Sequence, residues 1–191
     1  MATNCVRSKL ANIKKSCETG GNSAGIVTEL FVAPKEEVET IPAIDAATGL
    51  IDGEIVMVDD TRTAAEVTAG EPADVVPGTF RQIDLSEVEL GYTTEEVGEA
   101  EDGNINHIIT GFLPKMSPAK NVILESLRGG RECIVKFTDR NRYPWLIGDT
   151  DEGMTFVITP TSTPRNGYSI RGTAVGAKLL PSYTGALSVE A

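Results

Sequence analysis

The stretch RECIVKFTDRNRYPWLIGDTDEGMTFVITP, residues 131–160, decides the fold class. It holds three β-favouring runs, 132–138, 144–147 with a short extension on each side, and 154–159. Asp139-Arg140-Asn141 and Gly148-Asp149 separate them with turn chemistry, so a β-meander is the simplest arrangement. Downstream, Arg165-Asn166-Gly167 makes another turn, and Tyr168, Ile170 and Thr173 favour a last strand over about 167–175. Residues 181–191 read as a C-terminal tail.

Upstream of the same stretch, Ser117-Pro118-Ala119 opens a helix, with Ser117 as N-cap and Pro118 at the first helical position. Val122, Ile123 and Leu127 fall at helical spacing, and Gly129-Gly130 is a natural stop. Over 79–94, Phe80, Ile83, Leu85, Val88 and Leu90 interleave with Arg81, Gln82, Asp84, Glu87 and Glu89. The alternation slips once, between Phe80 and Ile83, as a β-bulge requires. Ile105, Ile109 and Leu113 continue the pattern beyond the turn residues Gly98 and Asp102-Gly103-Asn104, which together predict a long antiparallel hairpin over 79–114.

Residues 41–78 are rich in Ala, Thr, Gly, Asp and Pro, with one strand expected at Ile55-Val56-Met57-Val58 between long connections. Before them, Ile26, Leu30, Phe31 and Val32 form an apolar strand ending at Ala33-Pro34, and Glu36 and Glu37 after Pro34 suit a short helical turn. Residues 1–24 read as an N-terminal arm, basic through Arg7, Lys9, Lys14 and Lys15 and closing on Gly20-Gly21-Asn22-Ser23. The whole is mainly β: a β-sandwich or open barrel with one flanking α-helix and a long β-hairpin.

At 191 residues and 40% hydrophobic content, the chain suits one domain with a real core. No apolar run nears the roughly 20 residues that span a bilayer, and no signal core opens the chain, so a soluble protein made in the cytoplasm is expected. Cys5, Cys17 and Cys133 show no C-x-x-C spacing, and His107 is the only histidine, so reduced thiols and no metal are expected. A net charge of -11 gives most of the surface the wrong sign for binding nucleic acid. That charge is uneven, because residues 82–114 contain no lysine or arginine.

Phosphate-loop, dinucleotide, zinc-protease and nucleophile-elbow motifs are all missing, which points to no catalytic residues and no cofactor. His107 lies in no motif and reads as structural, and Cys133, within Cys133-Ile134-Val135, reads as a small core hydrophobe. Trp145 reads as a packing or interface anchor more than a ligand platform. The acidic set Asp84, Glu87, Glu89, Glu95, Glu96, Glu99, Glu101 and Asp102 allows three readings. These are paired catalytic or calcium-binding carboxylates, a solvated hairpin face, or the lining of a ring that repels passing DNA.

The chain resembles the tail tube (major tail) proteins of long-tailed bacteriophages. The resemblance rests on Ala24-Gly25-Ile26 leading to Glu29-Leu30-Phe31-Val32-Ala33 and Glu37-Val38, on the acidic hairpin, and on Leu113-Pro114-Lys115-Met116-Ser117. It rests above all on the C-terminal order of the 131–137 strand, Asp139-Arg140-Asn141, Tyr143-Pro144-Trp145-Leu146-Ile147-Gly148, Glu152-Gly153-Met154 and Asn166-Gly167-Tyr168-Ser169-Ile170. It implies a tail-tube-like β domain over 25–180, with 44–78 as a variable insertion, assembling as hexameric rings stacked around a DNA-conducting channel. The implied partners are further copies of the chain and other tail or neck proteins of the virion, with DNA only as passing cargo and no membrane.

Carried onto this sequence, the resemblance implies that Lys14 and Lys15 touch the acidic surface of the next ring. The hairpin with Glu87, Glu89, Glu95, Glu96, Glu99, Glu101 and Asp102 would line or bridge the tube. The competing readings are another virion part, such as a tail terminator, head-tail connector or capsid decoration protein, and a small carbohydrate-binding β-sandwich using Tyr143 and Trp145. An enzyme built on His107 stands third.

Overall fold

The computed structural model of the chain describes residues 26–59, 78–86, 90–97, 104–163, 165–176, 180–187 and 189. In chain order these form β1 (Ile26–Pro34), a 3-10 turn (Lys35–Glu37), β2 (Val38–Thr40), β3 (Leu50–Ile51), β4 (Val56–Met57), β5 (Arg81–Asp84), β6 (Gly91–Val97) and β7 (Asn104–Pro114). There follow α1 (Pro118–Ser126), β8 (Glu132–Asp139), β9 (Pro144–Ile147), β10 (Met154–Thr161), β11 (Gly167–Gly176) and β12 (Ser182–Tyr183). The mainly-β class with a single α-helix among the described residues agrees with the sequence reading, and the main sheet is curled as in an open half-barrel.

The strand order of that sheet is β3-β12-β9-β8-β10-β11-β7-β6, with β1 on the other side of β8 and β5 beyond β1. β8 alternates between two apolar layers, which explains its unbroken hydrophobic run. Cys133, Val135 and Phe137 point into one cluster with Leu30, Val32, Ile83, Leu85, Ile109, Met154 and Ile170. Ile134 points the opposite way, joining Ala33, Ile51, Ile55, Phe80, Leu146 and Tyr183.

Several sequence expectations need correction. The 79–94 run is not one arm of a hairpin: β5 pairs with β1 (Val32↔Arg81 to Glu29↔Asp84), and the hairpin partner of β7 is β6 alone. The slip between Phe80 and Ile83 is likewise no bulge. The β1–β5 register runs without a shift, and the odd spacing sends Phe80 into the second apolar layer and Ile83 into the first. After β5, Ser86 N donates to Phe112 O (2.7 Å), bringing the chain to the edge of β7 that β6 leaves open.

The meander gives way to a corner. β9 and β10 both lie antiparallel along one side of β8, at Val135↔Ile147 and Met154↔Cys133, with 148–153 looping out between them. β10 then runs past β8 to pair with β11, so one chain segment serves two halves of the curled sheet. The supposed tail is also part of the core. β12 joins β3 and β9, and the Tyr183 hydroxyl donates to Ala186 O (2.6 Å) while accepting from Ile55 N (3.3 Å).

The helix begins as read, with Ser117 Oγ accepting from Lys120 N (3.3 Å) and Pro118 in the first turn, and Gly129 and Gly130 follow it at φ 82° and 80°. Its core stripe is Leu124 and Leu127; Val122 and Ile123 face outward at 74% and 47% exposure. The Tyr168 hydroxyl sets this rotation by donating to Asn121 Oδ1 and accepting from Ser117 N. In 41–59 there are two short strands in place of one, with β4 pairing with β2 and β3 with β12.

If 180–187 belong to the core, Tyr183→Ala should lower the unfolding free energy by about 3 to 5 kcal/mol, the range for emptying a large buried aromatic site. Urea denaturation checks this, and an unchanged midpoint would return the segment to the status of a tail.

Candidate functional site: the acidic hairpin edge

β7 is flanked by β11 along its length, from Gly167↔Pro114 to Gly176↔Ile105, and by β6 on its other side. β6 ends the sheet, so among the described residues its outer edge pairs with no strand. Glu95 sits opposite Asn106 and Glu96 opposite Ile105, both exposed. Being adjacent on a strand, the two carboxylates leave on opposite faces. That geometry suits neither a carboxylate dyad nor a shared cation; among the described residues no group of three His, Cys, Asp or Glu is placed to hold a metal. The other candidates, Lys14, Lys15, Glu87, Glu89, Glu99, Glu101 and Asp102, lie outside the described residues.

The hairpin is tied to the core by the single histidine. His107 on β7 is 3% exposed, and its Nδ1 lies 2.9 Å from the Tyr92 hydroxyl of β6 with the two rings parallel. Tyr92 in turn packs on Phe137 of β8, ring centroids 5.2 Å apart. Burial pushes the Tyr92 phenol up to about 12. The periodicity of 105–113 could not reveal this tie, because Tyr92 and His107 meet only through the register of the hairpin.

His107 also borders a cavity of about 470 Å³ walled by Ile41, Ile51, Leu146, Ala174, Val175 and Leu180. Asp149 and Glu152 also line it, and Asp149 Oδ1 already accepts from the backbone of Asp151 and Glu152 at 2.8 Å each. The lining therefore offers shape and apolar surface beside these carboxylates. Sequence reasoning did not find this cavity, since its walls come from four separated segments.

Cys133 lies in the core, not in the cavity, and burial pushes its thiol up to about 12. Trp145 packs half-buried against the first apolar cluster, and its Nε1 donates to Asp139 Oδ2 (3.2 Å). Asp139 Oδ1 accepts from Asn141 N (2.9 Å) and Tyr143 N (2.8 Å), so this aspartate organises the whole β8–β9 turn. Tyr143 is 49% exposed, with its ring inclined 49° to that of Trp145, so the two form no single flat platform.

Raised values for Tyr92 (from 10.0) and Cys133 (from 9.0) mean that the unfolded chain releases protons before the folded one does. Their stabilisation is complete below pH 9 and is lost as pH rises from 9 to about 12. The urea midpoint should fall across that window, and Cys133→Ala should remove the part that begins near pH 9. Identical pH profiles for wild type and variant would contradict the burial of the thiol. In comparisons with known proteins, no family model, no curated protein and no solved structure matches this chain.

Proposed function

We propose that this chain is a structural protein of a virion, the subunit of a phage tail tube that closes into rings, hexameric by the resemblance, stacked around a DNA-conducting channel. One observation carries the reading: a curled sheet ends in β6, a seven-residue strand anchored on one side and, among the described residues, paired with no strand on the other. Such an edge presents backbone donors and acceptors that another chain can pair with, and ring closure satisfies every edge without runaway aggregation.

The charge is consistent with a conduit. The net charge is -11, and repeated around a ring such a surface repels phosphate. DNA is then cargo and the partners are other copies and neighbouring tail or neck proteins. The basic arm with Lys14 and Lys15 would steer onto the acidic surface of the next ring. The virion tail is the place where the protein acts.

Negative-stain electron microscopy of the purified, concentrated protein tests this. Rings or tubes with a central hole are expected; a strict monomer at every concentration and salt would overturn the proposal. Rings that never elongate would shift the reading to a terminator or connector.

A further inference from the structure

The strands that carry Glu95 and Glu96 at one end carry a cationic cluster at the other. β7 runs from Ile105, the partner of Glu96, to Pro114, and Lys115 follows; ten residues of extended chain span about 33 Å. Lys115 N donates to Asn166 O (2.9 Å) and Met116 N to Asn166 Oδ1 (3.3 Å), which bolts the loop after β7 to the loop before β11. That junction places exposed Lys115 beside the loop of exposed Arg165, whose guanidinium lies over the Phe112 ring at 5.7 Å. Lys120 of α1 reaches the same place, donating to Pro114 O at 2.6 Å.

Residues 103–124 and 153–189, which supply Lys115, Lys120 and Arg165, contain no aspartate or glutamate. Lys115 is also held at φ 63°, a backbone region that non-glycine residues seldom occupy, so the loop has one defined shape when it meets a partner.

We infer that the cationic end formed by Lys115, Lys120 and Arg165 is a docking surface for the Glu95–Glu96 end of a second copy of this chain, joining copies head to tail along the strand direction. The inference rests on the reading of the chain as a self-stacking subunit and names the surfaces that stack. Unlike ends attract while like ends repel, so the contact is polar, and a polar contact between unlike faces repeats without closing on itself. The folded body thus carries its own counter-charge, separate from the basic stretch containing Lys14 and Lys15.

Two double variants of the full chain test it: Glu95→Lys with Glu96→Lys, and Lys115→Glu with Arg165→Glu. Each alone should need at least about tenfold higher concentration to associate in sedimentation velocity, because each makes both ends alike. An equimolar mixture should regain wild-type association, since the two variants are complementary. Wild-type association should also weaken between about 50 and 500 mM salt as screening grows.

Variants that associate like wild type, a mixture of folded variants that does not recover, or wild-type association indifferent to salt would each overturn the charge pairing. Electron microscopy of the same samples separates this from the tail tube reading. Closed rings and tubes that ignore both salt and charge reversal sink the pairing alone. Head-to-tail chains without rings sink the tail tube reading alone, and a wild-type monomer under all conditions overturns both.

Discussion

The pairing of β1 with β8 is the constraint on which the rest of the structure depends. From Leu30↔Phe137 to Pro34↔Cys133 the two strands run in unbroken register, and both are covered on both faces. Side chains alternate along a strand, so a one-residue slip would exchange the contents of the two apolar layers. Val135 and Ile134 would trade places, and neither layer would keep its shape. With this register set, the first layer gathers β5, β7, β10, β11 and α1, and the second gathers β3, β12 and Phe80.

Cover thins toward β6. Among the described side chains of that strand Tyr92 is the last to reach the first apolar layer, and Thr93, Thr94, Glu95 and Glu96 beyond it are all exposed. The strand is held by its ladder to β7 and by the Tyr92–His107 contact more than by a core of its own. An edge of this kind is open to completion by another chain. Its glutamates also oppose indiscriminate pairing between two such edges, since like charges facing one another are unfavourable.

Much of the fold was legible because its signals are local. The Ser117 cap that starts α1 and the Asp139 turn between β8 and β9 depend on hydrogen bonds between near neighbours. The short 3-10 turn after Pro34 belongs with them. Of the candidate site, the exposed carboxylates on a hairpin were readable from composition. The ties that hold the hairpin were not, because Tyr92, His107 and Phe137 come from three strands.

By itself the sequence determined where α1, the Asp139 turn and strands β1, β8, β9, β10 and β11 form and that the charge is segregated, because propensity, capping and composition act within a few residues. Tertiary structure alone decided that β5 leaves the hairpin for β1, that Phe80 and Ile83 serve opposite layers, and that Tyr183 is core. It also decided that Lys115 and Arg165 share one end of the molecule while Glu95 and Glu96 occupy the other. The reason is the two-residue period of a strand, which says that neighbours face opposite ways but not what covers either face; only pairing between distant segments settles that.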